Sequence, residues 1–259
     1  MSVATNTLLG MHLFSEEIRN SFILHIPHSS FFLPDKKEFV FHNSLIYHDM
    51  MRSTDWGTDT IFYVPNITTI KANFSRIFCD VERFYPDELE PMSVFGRGYY
   101  YTKTATGEDL RENDKDNSER IYHIFYKPYH KNFTDIVEEK LEKNGEVNII
   151  DCHSFSDTPL EIDFDKTTPR PSICIGTDDY HTPDWLLDYT VNFFQNHGFS
   201  VKINSPYAGT IVPQKFYKTN PNVHSIMIEI NKKEYMTGNS VINERVEFLG
   251  KLMNEFFDF

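Results

Sequence analysis

Val147-Asn148-Ile149-Ile150-Asp151-Cys152-His153-Ser154 begins as an apolar run of strand length and ends in a polar tip. In a strand, successive side chains alternate faces, so Asp151 and His153 share one side and Ile150 and Cys152 the other. Apolar residues on both sides are the mark of a strand covered on both faces, as in the parallel sheets of α/β proteins. An unpartnered aspartate at the end of such a strand would cost several kcal/mol, roughly, to bury. An ion or a hydrogen-bonding partner removes that cost.

Working outward, similar runs alternate with stretches that suit helices. Phe22 to Ile26 is rich in β-formers and is stopped by Pro27. A helix starting after Thr58 closes over Phe62 to Val64, and Ile67 to Lys71 and Arg76 to Val81 read as strands. Ser118 to Lys143 places Ile121, Phe125, Tyr129, Phe133, Ile136 and Val137 near helical spacing, with Pro128 predicting a kink or a break. Ser172 to Ile175, Phe199 to Ile203 and Ser225 to Ile230 are further strands. Trp185 to His197, stopped by Gly198, and Val241 to Phe257 are helices. The alternation predicts an α/β fold in one domain spanning residues 1–259, with a mixed, largely parallel sheet flanked by helices. Phe95 to Asp116 is the loosest stretch; it reads as a surface excursion, with a lid over a site as the alternative.

The 259 residues carry a formal charge of −13, which leaves no excess of cations for a phosphate backbone, so nucleic acid is not an expected partner. No apolar run approaches the roughly 20 residues needed to span a bilayer, and the N-terminus lacks the features of a signal peptide. A cytoplasmic location is the expectation. The three cysteines, Cys79, Cys152 and Cys174, form no CxxC pair and read as thiols rather than a disulfide framework. GxSxG, Walker, GxGxxG and HExxH motifs are absent.

In open α/β sheets ligands bind beyond the carboxyl ends of strands, which directs attention to the polar residues that follow apolar runs. His28 follows the first strand, with Pro27 fixing the turn; alone it reads as a hydrogen-bonded loop residue, with a metal ligand as the alternative. Asp151 and His153 favour a functional reading. Asp55 sits where a helix would be capped, Asp59 lies one turn further on, and capping is their ordinary role. With two histidines elsewhere, one such carboxylate would complete an N/N/O set suited to zinc and leave a position open for water. Glu229, inside the apolar run Ile226 to Ile230, is either a general base or a salt-bridged strand residue.

Taken together, the chain resembles the N-formylglutamate amidohydrolase family from about Phe22 to Met236. The resemblance is carried by Ile26-Pro27-His28-Ser29-Ser30, Thr54-Asp55-Trp56, Ser75-Arg76 followed by Asp80 and Arg83, Lys127-Pro128-Tyr129-His130, Asp151-Cys152-His153-Ser154, Gly176-Thr177, and Glu229 leading to Tyr235-Met236. It implies a fold related to the zinc carboxypeptidases and aspartoacylase, and a Zn2+ ion held by His28 and His153. Those relatives take a third ligand from an HxxE motif, where this chain has Phe31; Asp55 fills the role here, with Asp59 as the fallback. The resemblance further makes Glu229 the base and Arg76 the group that polarises the scissile carbonyl. Arg83, Ser154 and Tyr129 become substrate-binding, and Asp151 and Asp59 orient the ligands from behind. The expected substrate is a small N-formyl or N-acyl amino acid. A metallo-carboxypeptidase, a cell-wall amidase, or a metal-binding protein without turnover are the alternatives. One departure stands out: the family's DLNR reads Asp80-Val81-Glu82-Arg83, so a carboxylate replaces an amide.

Overall fold

The computed structural model describes residues 16–35, 39 and 43–258. Two short elements open it, helix α1 (Glu16–Ser21) and strand β1 (Phe22–Ile26), followed by helices α2 (Asn43–Ser53) and α3 (Thr58–Ile61) and strand β2 (Thr68–Lys71). After a long irregular segment come α4 (Lys115–Ile121), α5 (Lys127–Asn144), β3 (Val147–Phe155), β4 (Ile173–Gly176), α6 (Asp184–Asn196), β5 (Val201–Ile203) and β6 (Val223–Asn231). A small hairpin, β7 (Met236–Thr237) and β8 (Ser240–Val241), leads into the final helix α7 (Asn243–Phe257).

Six strands form one sheet in the order β2-β1-β3-β6-β4-β5. β2, β1, β3 and β6 run parallel, whereas β4 pairs antiparallel with β6 and parallel with β5. The expected mixed, largely parallel sheet is therefore what forms. β1 and β3 are buried at every position, as their apolar runs require. One face packs Leu24, Ile150, Ile226 and Ile228 against α3, α6 and α7. On the other, Ile23, Val147 and Ile149 meet Phe133 and Val137 of α5. Since β-side chains alternate, His25, Asp151 and His153 share this second face. Cys79, Cys152 and Cys174 are buried free thiols.

Two expectations need correction. Arg76–Val81 is not a strand: it winds through tight turns, with Phe78 and Cys79 N–H groups donating to the Ser75 carbonyl. Its apolar side chains enter a satellite core with Tyr99, Tyr100, Tyr101 and Ile121. A short apolar run buried on all sides carries no period that separates strand from turn. The 95–116 stretch is less loose than expected: it is exposed at 95, 106–109 and 112–116, but the rest is packed, and Arg97 and Tyr101 line the cleft. It packs Arg97, Tyr99, Tyr100, Tyr101, Leu110 and Arg111 inward, and the Arg111 guanidinium donates to the Tyr101 and Phe78 carbonyls.

The expected disturbance near Pro128 is present in a specific form. A π-helical turn, Tyr122–Tyr126, separates α4 from α5, and Pro128 lies in the first turn of α5. The chain is already helical before it, so Pro128 lacks an N–H that an uninterrupted α-helix would use, and the wider π-turn immediately before it accommodates that loss. Among the described residues, no helix is long and apolar enough to cross a membrane.

Candidate active site

The carboxyl ends of β1, β3 and β6 point the same way, and their polar residues meet there. His153 of β3 pairs in register with Glu229 of β6, and His25 of β1 with Asp151 of β3. His28 follows β1, and the Asp55 N–H donates to its carbonyl, tying the two loops together at 3.0 Å. The His28 and His153 rings lie 5.1 Å apart, centre to centre. The two histidines singled out in the sequence are neighbours.

Each ring is gripped from behind by a carboxylate. His28 Nε2 lies 2.8 Å from Asp80 Oδ1, and His153 Nε2 3.0 Å from Asp151 Oδ1. In the tautomer that lets Nε2–H donate to Asp80, His28 Nδ1 turns its lone pair toward the centre, where it is buried with no hydrogen-bond partner. It lies 3.8 Å from Asp55 Oδ2 and 3.6 Å from Glu82 Oε2. His153 Nδ1 lies 3.1 Å from the same Asp55 oxygen, and His153 Nε2 also lies 3.1 Å from Glu82 Oε1. Lone pairs and anionic oxygens converge on one buried point.

That convergence is electrostatically unfavourable without a positive charge at its centre. Burial pushes the Asp55 and Asp151 carboxyls up, but the adjacent imidazoles outweigh it and hold both below the ordinary carboxylate range. Burial opposes protonation of His153, yet Glu82 and Asp151 raise its pKa well above normal, so the surrounding carboxylates draw positive charge to this point. A divalent ion would serve the same need. His28, Glu82 and His153 each offer a ligand atom within 4.8 Å of the others, and Asp55 touches both imidazoles. Two imidazoles and one carboxylate, with outer carboxylates fixing the rings, suit zinc.

Glu229 is the odd member. Only 8% exposed, it keeps Oε2 without any hydrogen-bond partner. Burial, reinforced by Asp55, Glu82 and Asp151, pushes its pKa up to about 8 against the pull of His153. A carboxyl held near neutrality beside a cation site can take up and release a proton in the physiological range.

The arginines converge on Asp80. Arg76 donates from Nε at 3.1 Å and Nη2 at 2.8 Å to Asp80 Oδ2, and the Tyr101 hydroxyl donates to the same oxygen. Arg83 stands further off, its Nε 3.7 Å from that oxygen and without a hydrogen bond. These guanidinium groups, with His28, hold Asp80 ionised despite its burial. Replacing Asp80 by asparagine should therefore lower the cluster's affinity for a divalent ion by about 10–100-fold, the usual cost of losing an outer carboxylate where a metal is held. Zinc titration followed by calorimetry checks this, and an affinity unchanged from the wild type would remove Asp80 from the site.

The structure does not bring two of the expected residues to the cluster. Asp59 sits at the surface, 3.2 Å from Lys71 Nζ, because Gly57 at φ +69° breaks the spacing that would align it with Asp55. Tyr129 faces inward from α5 and puts its hydroxyl 2.8 Å from His25 Nε2, while His25 Nδ1 lies 2.9 Å from Asp151 Oδ1. It thus braces Asp151 from behind instead of lining the cleft. Ser154, Arg76 and Arg83 do line it.

Other participants carry little local signal. His25 interrupts an apolar strand, which is the one hint it gives; Tyr101 comes from the 95–116 stretch. Lys232, just past β6, donates to the Thr54 carbonyl at 2.7 Å and faces the cleft. The cleft in front of the cluster measures about 1400 Å³.

A crystal structure of the N-formylglutamate amidohydrolase from Ralstonia eutropha is similar to this chain with a TM-score of 0.79, at 20% identity, covering 92% of each chain. A gene product of Agrobacterium tumefaciens of known structure is similar with a TM-score of 0.63, at 18% identity, covering 92% of this chain and 89% of that one. At such identities these likenesses establish the fold. No curated protein sequence matches the chain at a significant level. The sequence profile of N-formylglutamate amidohydrolase matches residues 20–236, a span that holds His28, Asp55, Asp80, His153 and Glu229 alike, and the chain belongs to that family.

Proposed function

We propose that this chain hydrolyses the amide bond of an N-acyl amino acid with the help of one divalent cation, zinc by the chemistry of its donors. His28 through Nδ1, His153 and Asp55 would hold the ion, with Glu82 close enough to add a further oxygen. When bound, such an ion polarises a carbonyl and makes water more acidic. The observation that carries the reading is Glu229: a buried carboxyl, unpartnered at Oε2, set in register beside His153, whose Nε2 is already engaged by Asp151.

In this reading Glu229 Oε2 accepts a proton from the attacking water and returns it to the departing amine. Arg76 is fixed by Asp80 and Tyr101, which leaves Nη1, 3.5 Å from the Ser53 carbonyl, as the donor that can reach the substrate's acyl oxygen. Arg83, without a hydrogen bond at Nε, clamps the substrate carboxylate. Asp80 and Asp151 keep the imidazoles oriented, and the His25–Tyr129 pair holds Asp151 in place.

Elemental analysis of the purified protein, joined to a hydrolysis screen of N-formyl and N-acetyl amino acids, tests the proposal. We expect about one equivalent of zinc per chain and turnover that a chelator abolishes and added zinc restores. Metal-free protein with full activity would defeat it. Hydrolysis of peptides in preference to N-acyl amino acids would favour a carboxypeptidase-type reading instead.

A further inference from the structure

We propose that the ligand taken by this cleft pairs a single carboxylate with a large apolar group: an N-acyl amino acid with a long acyl chain or an aromatic side chain, not a formyl group on glutamate. The inference rests on the hydrolase reading above and names its substrate class.

Size is the first observation. Pockets of about 300–1,000 Å³ suffice for drug-sized ligands, and an N-formyl amino acid is smaller than those. The cleft here is larger, about 1400 Å³. A small substrate would leave most of it to water.

The lining is the second. Phe84, Leu89 and Phe164 all face the cleft, and they are 55%, 59% and 72% exposed. Phe84 adjoins Arg83, so an apolar wall starts beside the guanidinium assigned to the carboxylate. Phe164 comes from a separate segment and meets Phe95 at 5.8 Å between ring centres. Single exposed apolar side chains are ordinary on any surface. Three of them on one cleft that Glu229 also lines mark a binding wall.

Charge is the third. Near the scissile position the cleft presents Glu82, whose oxygens lie 3.1 Å from His153 and 3.6 Å from His28. A second carboxylate on the substrate, such as glutamate carries, would meet this group at close range. Of the cations that line the cleft, Arg52, Lys131 and Lys215 face Glu161, Asp135 and Glu138, and Lys232 donates to the Thr54 carbonyl. Arg83, in contrast, shares Asp80 with Arg76 and makes no hydrogen bond at Nε, so it is the guanidinium assigned to one substrate carboxylate. A monocarboxylate bearing a hydrocarbon or aromatic group satisfies all three observations.

The test uses zinc-loaded full-length protein and four probes: N-octanoylglycine, N-acetylphenylalanine, N-acetylglycine and N-formylglutamate. The first two separate an apolar acyl group from an apolar side chain. We expect at least one of them to exceed both of the others in kcat/KM by on the order of tenfold or more. In the Phe84→Ser/Phe164→Ser double variant, the ratio of the preferred probe to N-acetylglycine should fall toward one. Calorimetric binding of the same probes to Glu229→Gln repeats the comparison without turnover. N-formylglutamate as the best substrate or the tightest ligand would overturn the inference, as would a preference unchanged in the double variant. Tighter binding of the apolar probes with no amide hydrolysed would leave this inference standing and remove the hydrolase reading.

Discussion

Replacing Glu229 by glutamine is expected to lower kcat by about 10²–10⁴-fold, the usual worth of a positioned general base. The change is nearly isosteric, and the buried amide would still fit between His153 and Cys174, its neighbours in register. Stability should therefore be retained; removing a buried carboxyl that lacks a partner at Oε2 relieves a desolvation cost. Metal content should also stay the same, because Glu229 is not among the groups that surround the cation position. Steady-state kinetics with parallel elemental analysis reads both quantities. A fall under about fivefold would reject the role, since it is far below what general-base loss costs.

The second large effect is expected for His28→Ala. This change removes the one imidazole nitrogen that is buried, unpartnered and aimed at the centre of the cluster. It also strands Asp80, which would keep Arg76 and Tyr101 but lose its ring partner. Bound zinc should fall to a small fraction of the wild-type level, and hydrolysis by more than about 10²-fold, beyond the usual cost of losing an outer carboxylate. Asp59→Ala is the contrasting substitution. Its side chain is half-exposed against Lys71, so metal content and rate should not change. Equal zinc occupancy in wild type and His28→Ala would exclude His28 as a ligand.

The residues legible in the sequence share one property: each is a polar side chain at the end of, or inside, a strand that must be buried. His28, Asp151, His153 and Glu229 qualify, and the structure gathers all of them. Asp55 was legible only as one of two carboxylates in a capping segment; the left-handed Gly57 between them turns Asp55 inward and leaves Asp59 outside. Asp80 and Glu82 lie in a stretch whose apolar run suggests a strand, so their convergence on the histidines depends on turns that no periodicity encodes. Tyr101 reaches Asp80 from 21 residues away, through a segment whose glycines and charges disguise how much of it is packed. The sheet was readable because burial imposes patterns along a strand. The outer supports were not, because tertiary packing alone brings them in.

The π-helical turn between α4 and α5 has a consequence for how one rod of chain serves two interiors. Ile121 and Tyr126 belong to the satellite core, whereas Phe133 and Val137 cover the sheet, with Phe133 stacked on His25 at 4.9 Å. Each residue of an α-helix advances the side chains by roughly 100°, so the additional residue in a wide turn shifts the phase of everything beyond it. Deleting one residue within Tyr122–Tyr126 would remove that phase shift and turn one half away from its target. Either Asp80's scaffold or the Tyr129–His25 brace would then lose its backing, although neither touches the deleted residue.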